Sequence, residues 1–123
     1  MRYVVTRLTL GLVVATGLMA IWQKTSAADT TSTLLLSLDC GDYQVQVAED
    51  LSSGAYLYRS EGPSGDFALN NGHRDMTEGV VLYEFQNGSF EYWVWDGTLD
   101  DPDAGQLQVY RSGQIVLDRS CTQ

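Results

Sequence analysis

The sequence predicts an all-β domain, either a small antiparallel β-barrel or a sandwich of about eight strands, closed by one disulfide. After residue 28, short segments of alternating apolar and polar residues recur roughly every eight to twelve residues, separated by turn residues. No window in this part of the chain has the helical apolar period of about 3.6 residues. Cys40 and Cys121, the only cysteines, lie near the two ends of the predicted domain.

Eight segments have the composition and alternation of strands. They are Leu34–Leu38, Tyr43–Ala48, Ala55–Ser60, Asp66–Leu69, Val80–Gln86, Ser89–Asp96, Gln106–Tyr110 and Gln114–Arg119.

The clearest hairpin is centred on Asn87-Gly88, a pair that suits both left-handed positions of a type I′ turn. A two-residue loop at this point places Glu84 opposite Glu91. It also pairs residues of the predicted core face: Phe85 with Phe90, Tyr83 with Tyr92, and Val81 with Val94.

The last hairpin is centred on Arg111-Ser112-Gly113. A three-residue loop aligns Val109 with Ile115 and Leu107 with Leu117, which keeps the apolar residues on one face. A two-residue loop would oppose Leu107 to a charged residue, so the three-residue loop is our prediction.

Residues 1–28 have the pattern of a cleaved signal peptide. Arg2 and Arg7 form a basic start, Leu8–Trp22 is an uncharged, mostly apolar run, and Ser26 and Ala28 are small residues before the expected cleavage. The alternative is a retained membrane anchor, but this run is shorter than the roughly 20 residues that a spanning helix needs. We therefore expect a loose N-terminus over 29–32 and one β domain over 33–123, exported to the periplasm or outside the cell. An oxidising compartment would join Cys40 to Cys121.

The predicted mature chain is strongly acidic. Residues 29–123 contain four arginines, no lysine and 16 acidic residues, for a net charge of −12. Such a surface argues against nucleic acid or an anionic membrane as a partner. It favours a cationic partner or a divalent cation, or serves solubility alone.

The residues suited to catalysis do not form a recognisable motif. His73, the only histidine, follows the turn-like segment Asn70-Asn71-Gly72 and is expected in a solvated loop. Glu84 and Glu91 could act as an acid–base pair only if one were held away from water, which a hairpin tip does not favour. We therefore expect a protein that is not an enzyme and has no cofactor.

Two further segments could bind a ligand. The acidic segment from Asp96 to Gly105 offers carboxylates at Asp96, Asp100, Asp101 and Asp103, which could supply oxygen ligands to calcium, although the spacing is not that of an EF-hand. Trp93 and Trp95 lie on the same side of their strand. With Tyr110 they could stack on a sugar ring, or they could be buried.

The order of strands resembles the periplasmic and membrane-bound C-type lysozyme inhibitors of bacteria. The resemblance rests on the early Cys40, the strand that begins at Tyr43, the segment Tyr83–Gly88, the strand ending at Trp95, and the late Cys121. Those inhibitors are exported eight-stranded barrels with a disulfide. The segment Tyr83–Tyr92 is also similar to small uncharacterised exported proteins of cyanobacteria.

The resemblance implies a contact loop for a lysozyme. In that family a loop containing serine and glycine, ahead of a tyrosine, enters the lysozyme active site. The corresponding segment here has Thr77, Glu78, Gly79 and Tyr83 but no serine. We therefore expect a binding module for a cationic protein such as a C-type lysozyme. The alternative is a carbohydrate- or envelope-binding module that uses Trp93, Trp95 and Tyr110.

Overall fold

The structure is an up-and-down barrel of eight antiparallel strands. A computed structural model describes residues 31–123, and Ser32–Gln123 form one compact unit. Each strand pairs with the next in the chain, and the last pairs with the first. The strands are β1 (Ser32–Asp39), β2 (Gln44–Asp50), β3 (Tyr56–Gly62), β4 (Gly65–Thr77), β5 (Val80–Asn87), β6 (Phe90–Asp96), β7 (Ala104–Arg111) and β8 (Gln114–Thr122).

These strands confirm the all-β prediction and select the barrel over the sandwich. The predicted signal peptide, together with residues 29 and 30, lies outside the described residues. The predicted loose N-terminus is wrong at its last residue, because Ser32 already pairs with Asp50. None of residues 31–123 belongs to a helix long and apolar enough to cross a membrane.

The barrel closes through a short seam between β1 and β8. This seam has one registered pair, Asp39 with Thr122, whereas the other neighbouring strands share between five pairs (β4 with β5) and eight (β7 with β8). The Cys40–Cys121 disulfide lies directly beside the seam, with its Cα atoms 4.2 Å apart. The predicted disulfide is confirmed, and it holds the barrel where backbone pairing is thinnest.

β4 is much longer than the predicted strand Asp66–Leu69. Its first part pairs with β3 and its second with β5, and an irregularity in the β3–β4 register separates the two parts. At this point Asn71 has a φ of 57°. The turn-like residues therefore form a bend within a strand, and His73 lies in β4 rather than in a loop.

The β5–β6 hairpin has a different register from the predicted one. Asn87 pairs with Phe90, so the turn residues are Gly88 and Ser89. Gly88 has a φ of 63°, and neither neighbour has a positive φ. This matches a type II′ turn, which takes glycine at its first central position. The shift moves the partner strand by two residues, so the same residues still face the core.

The β7–β8 hairpin also differs from the prediction. Ser112 and Gly113 both have positive φ values, 52° and 83°, and form a two-residue loop in place of the predicted three-residue loop. A bulge then places Val109 opposite Leu117, leaving Val116 as the additional residue on β8. Ile115 is 48% exposed and is not a core residue. The bulge recovers the apolar alignment that the short loop alone would lose.

The core lies inside the barrel and is built by side chains from most of the strands. Four rings meet there, with centroid distances of 5.3 to 6.1 Å among Tyr58, Phe67, Phe85 and Tyr92. The other buried apolar side chains of this cluster are Leu36, Leu38, Val45, Val47, Tyr83, Val94, Leu107 and Val109.

Candidate functional site

A groove on the outer surface brings together residues from two sites that the sequence suggested separately. It lies between the β4–β5 turn and the β6–β7 loop, which are neighbours because Val81 pairs with Asp96. Its volume is about 320 Å³. We call it the turn–loop groove, and its lining consists of Thr77, Glu78, Val80, Trp95, Gly97, Thr98, Leu99 and Gln106.

The β4–β5 turn presents Glu78 to solvent in a fixed backbone conformation. Glu78 and Gly79 both have positive φ values, 53° and 84°, as the central residues of a type I′ turn require. Thr77, Glu78 and Gly79 are all exposed. Three of the four predicted partner-binding residues therefore lie on an accessible turn.

Tyr83, the fourth predicted residue, is separated from that surface. Its side chain is 4% exposed and packs in the core, with its ring centroid 5.5 Å from that of Tyr56. Burial raises the pKa of Tyr83, and a side-chain hydrogen bond with Arg74 opposes part of that rise. Tyr83 is a core residue here, and its side chain does not present a surface to a partner.

The β6–β7 loop is held by hydrogen bonds to its own residues and to the C-terminus. Asp101 Oδ1 accepts from the Asp103 backbone N–H at 2.9 Å, and the Asp101 carbonyl accepts from the Thr98 backbone N–H at 2.9 Å. The Gln123 side-chain amide donates to Asp96 Oδ1 and to the Pro102 carbonyl. These bonds give the groove a defined wall on this side.

The acidic residues of this loop do not form a cation cage. Asp96 Oδ1 and Asp101 Oδ1 already accept hydrogen bonds. Within residues 31–123, no three His, Cys, Asp or Glu side chains are grouped so that they could hold a metal ion. The four calcium candidates, Asp96, Asp100, Asp101 and Asp103, are thus a source of negative charge beside the groove.

Three aromatic side chains form a strip on the outer face of β6 and β7, which we call the aromatic strip: Trp93, Trp95 and Tyr110. The ring centroids of Trp93 and Tyr110 are 4.7 Å apart, and those of Trp93 and Trp95 are 6.2 Å apart. Gln108 accepts from Trp95 Nε1 at 2.9 Å. All three rings are half-buried, so each keeps part of its surface accessible.

The aromatic strip also accounts for the burial of Leu82, a residue that lies outside the barrel interior. Leu82 is 3% exposed although it belongs to the outward-facing set of β5, and it pairs with Trp95. The indole side chains therefore shield Leu82 from solvent and also form part of the accessible surface. The strip ends at the turn–loop groove, because Trp95 belongs to both.

The predicted opposition of Glu84 and Glu91 is wrong. With the observed register, Glu84 faces Trp93 and Glu91 faces Gln86, whose Nε2 donates to Glu91 Oε2 at 2.9 Å. His73 is exposed and pairs with Glu84 across β4 and β5. The structure thus places Glu84 and Glu91 diagonally rather than directly opposite each other, and it leaves His73 in solvent.

Sequence reasoning missed two apolar contributors to the groove, Val80 and Leu99. Leu99 is 69% exposed, and it is the one large apolar residue in an otherwise acidic and polar loop. A single exposed leucine is ordinary at a protein surface, so the sequence carried no signal that Leu99 would lie beside Val80 and Trp95.

No protein-family model matches the chain, and neither a curated protein nor a solved structure matches it.

Proposed function

We propose that this protein is an exported, non-enzymatic binding module that holds a cationic protein partner at the turn–loop groove. A C-type lysozyme is the most concrete partner of this kind. The proposal is carried by one observation, the presence of apolar surface and the Glu78 carboxylate together in the lining of one groove. Trp95, Val80 and Leu99 supply the apolar surface. The β6–β7 loop, which also lines the groove, adds negative charge nearby through its aspartates.

This combination suits lysine and arginine side chains. Each has an apolar stem and a charged head, so the stem can lie on apolar surface while the head meets a carboxylate. The face of an indole also attracts a cation when the two lie within about 6 Å. The net charge of −12 on residues 29–123 would steer a basic protein toward the barrel as a whole.

Titration of the oxidised protein into a C-type lysozyme, with lytic activity as the readout, tests the proposal. The titration is run at low and at high salt. Inhibition that persists at high salt is the expected result, because a groove contact includes apolar surface that salt does not screen. Inhibition that disappears with salt would reduce the interaction to general charge attraction and overturn a specific groove contact.

Replacing Glu78 by glutamine is expected to weaken binding of the partner about twofold to fivefold, the effect of one exposed ion pair. Glu61→Gln is the matched control. It removes the same charge from an exposed position near the end of β3, whereas Glu78 follows the far end of β4. The inhibition constants of the two variants are compared with the unsubstituted protein at low salt. Equal weakening by both variants would show that net charge, and not the groove, determines binding.

The aromatic strip favours a second candidate function, the binding of a glycan. Half-exposed aromatic rings along one outer face can stack on the apolar faces of sugar rings, and such contacts dominate many interfaces. Trp93 and Tyr110 are close enough to present one continuous surface.

If the strip binds glycans, Tyr110→Ala is expected to weaken binding of a soluble peptidoglycan fragment about fivefold to tenfold, whereas Tyr110→Phe is expected to retain it. The second variant keeps the ring and removes only the hydroxyl, whose one hydrogen-bond acceptor, Gln108 Oε1, is 3.5 Å away. Trp93 and Trp95 provide the fluorescence readout, being the only tryptophans in residues 29–123. Unchanged tryptophan emission across the full fragment titration would exclude the strip as a glycan site.

A further inference from the structure

A second pocket of about 290 Å³ lies at one mouth of the barrel, and it shares no lining residue with the turn–loop groove. Its inner wall is built from core side chains, while Ser64, Gly65 and Asp66 at the β3–β4 turn are exposed at its edge. We call it the barrel pocket. The side chains that matter for its chemistry are Tyr58, Ser60, Phe67, Tyr92, Leu107 and Leu117.

The pocket wall is mainly aromatic and apolar. The ring centroids of Tyr58, Phe67 and Tyr92 are 5.3 to 6.1 Å from one another. Leu107 and Leu117 complete the wall from β7 and β8. Eight-stranded barrels can enclose one small ligand, and the mouth of a barrel is a frequent place for such a site.

Tyr58 and Ser60 supply the two buried hydroxyl groups of the lining, which also contains the half-buried phenols of Tyr43 and Tyr92 and the exposed carboxylate of Asp66. Tyr58 is 2% exposed and Ser60 is 7% exposed, the latter being the one buried polar residue among residues 31–123. The Ser60 hydroxyl interacts with the Tyr58 phenol. No other hydrogen bond of the Tyr58 and Ser60 side chains is found within the described residues. Two hydroxyl groups that bond only to each other leave one donor and three acceptor sites unused. Buried polar groups normally have partners, so the spare donor and acceptors indicate a place for a hydrogen-bonding ligand.

The surroundings of these hydroxyls disfavour charge. Burial raises the pKa of Tyr58 to about 12, because the phenolate form is poorly solvated there. A charged group on a ligand would meet the same penalty at the same place. The inner end of a ligand is therefore expected to be neutral.

From the aromatic wall, the spare hydrogen-bonding sites and the volume, we propose that the barrel pocket binds a small neutral aromatic molecule of one or two rings that bears a hydroxyl group. The rings pack against Phe67, Tyr92 and Leu117, and the ligand hydroxyl bonds to Ser60 and Tyr58. This site is independent of the proposed partner-binding groove, so the two can be tested separately.

Three probes with the same two fused rings test the ligand class on the oxidised protein: 2-naphthol, naphthalene and 2-naphthalenesulfonate. Calorimetry gives the affinities, and NMR shifts of the Leu107, Val109 and Leu117 methyl groups report the location. We expect 2-naphthol to bind with one molecule per protein, naphthalene about twofold to tenfold more weakly, and the sulfonate at least about tenfold more weakly. Equal affinities for 2-naphthol and the sulfonate would overturn the proposal.

Leu117→Trp is expected to fill the barrel pocket and lower the affinity for 2-naphthol at least about tenfold. Its matched control is Val116→Trp, which adds the same side chain at the neighbouring position, where Val116 is 54% exposed. Equal loss in both variants would place the probe on the barrel exterior and overturn the proposal.

The variant Ser60→Ala tests the proposed hydrogen bond to the ligand even if Leu117→Trp does not fold. It removes one of the two hydroxyl partners with little change of volume, so the preference for 2-naphthol over naphthalene is expected to shrink while the affinity for naphthalene itself is unaffected. An undiminished preference for 2-naphthol would overturn the assigned hydrogen bond to Ser60. Glu78→Gln leaves 2-naphthol binding unchanged, because Glu78 belongs to the other site.

Discussion

Reduction of the Cys40–Cys121 disulfide is expected to lower the free energy of unfolding by about 4.5 kcal/mol. The bond closes a loop of 81 residues, and the chain-entropy relation gives this value for the freedom that the unfolded chain regains. Small domains have total stabilities of only about 5 to 15 kcal/mol. The reduced protein is therefore expected to be marginally folded at room temperature.

The position of the disulfide adds a structural consequence. β1 and β8 share a single registered pair beside it, so little backbone pairing remains at the seam once the bond is cut. We expect amide exchange to accelerate in β1 and β8 before it does in β5 and β6. These strands share seven registered pairs, from Val81 with Asp96 to Asn87 with Phe90.

Urea unfolding of the oxidised and reduced protein measures the loss, and hydrogen exchange locates it. The double variant Cys40→Ala/Cys121→Ala is the control, since reductant should not change its unfolding midpoint. Equal midpoints for the oxidised and reduced unsubstituted protein would show that the strand pairing alone closes the barrel.

The number and order of the strands could be predicted because they depend on local information. Alternating segments such as Gln44–Asp50 show their inward residues, Val45 and Val47, directly in the sequence. Turn residues then divide the chain into strands, and the cysteines identify the ends that must meet. The choice between barrel and sandwich could not be predicted, because it depends on whether β1 reaches β8.

Registers were harder to predict because one glycine fits several turns. Gly88 serves equally as the second residue of a type I′ turn or the first of a type II′ turn, and the two choices differ by two residues in the partner strand. The alternation of apolar and polar residues cannot reveal this shift, because a shift of two residues leaves every side chain on the same face of the sheet. A bulge such as the one beside Val116 hides the register further, because it adds a residue with no partner.

Individual residues of the candidate site could be predicted from the sequence, but their proximity to one another could not. Glu78 and Trp95 were each identified, but their proximity depends on the pairing of Val81 with Asp96, which the predicted register did not contain. Tyr83 was assigned two incompatible roles, a core residue in the hairpin and a contact residue by resemblance. The burial of Tyr83 shows that it is a core residue.

Gly72→Ala is expected to destabilise the protein by about 1 to 3 kcal/mol, the cost of overpacking a core. A methyl group at residue 72 would lie 2.5 Å from Cδ2 of Phe85 and 2.9 Å from its Cζ. Phe85 is 1% exposed, and its ring packs against Tyr58, so it has little room to move. The glycine lets β4 pass directly over this ring where the strand bends.

The matched control is Gly62→Ala. A methyl group there would lie 2.6 Å from Cδ1 of Tyr43, but Tyr43 is only half-buried and its ring can move toward solvent. We therefore expect a smaller loss of stability at residue 62 than at residue 72, measured by urea unfolding of both oxidised variants.

A double-mutant cycle of Gly72→Ala with Phe85→Leu isolates the steric clash between the added methyl group and the Phe85 ring. Because leucine lacks the Cε2 and Cζ atoms of the ring and is smaller than phenylalanine, the double variant is expected to be more stable than the sum of the single losses predicts. Strictly additive losses would instead mean that β4 moves away from the core to accommodate the methyl group, and that the Phe85 ring does not hold the bend in place.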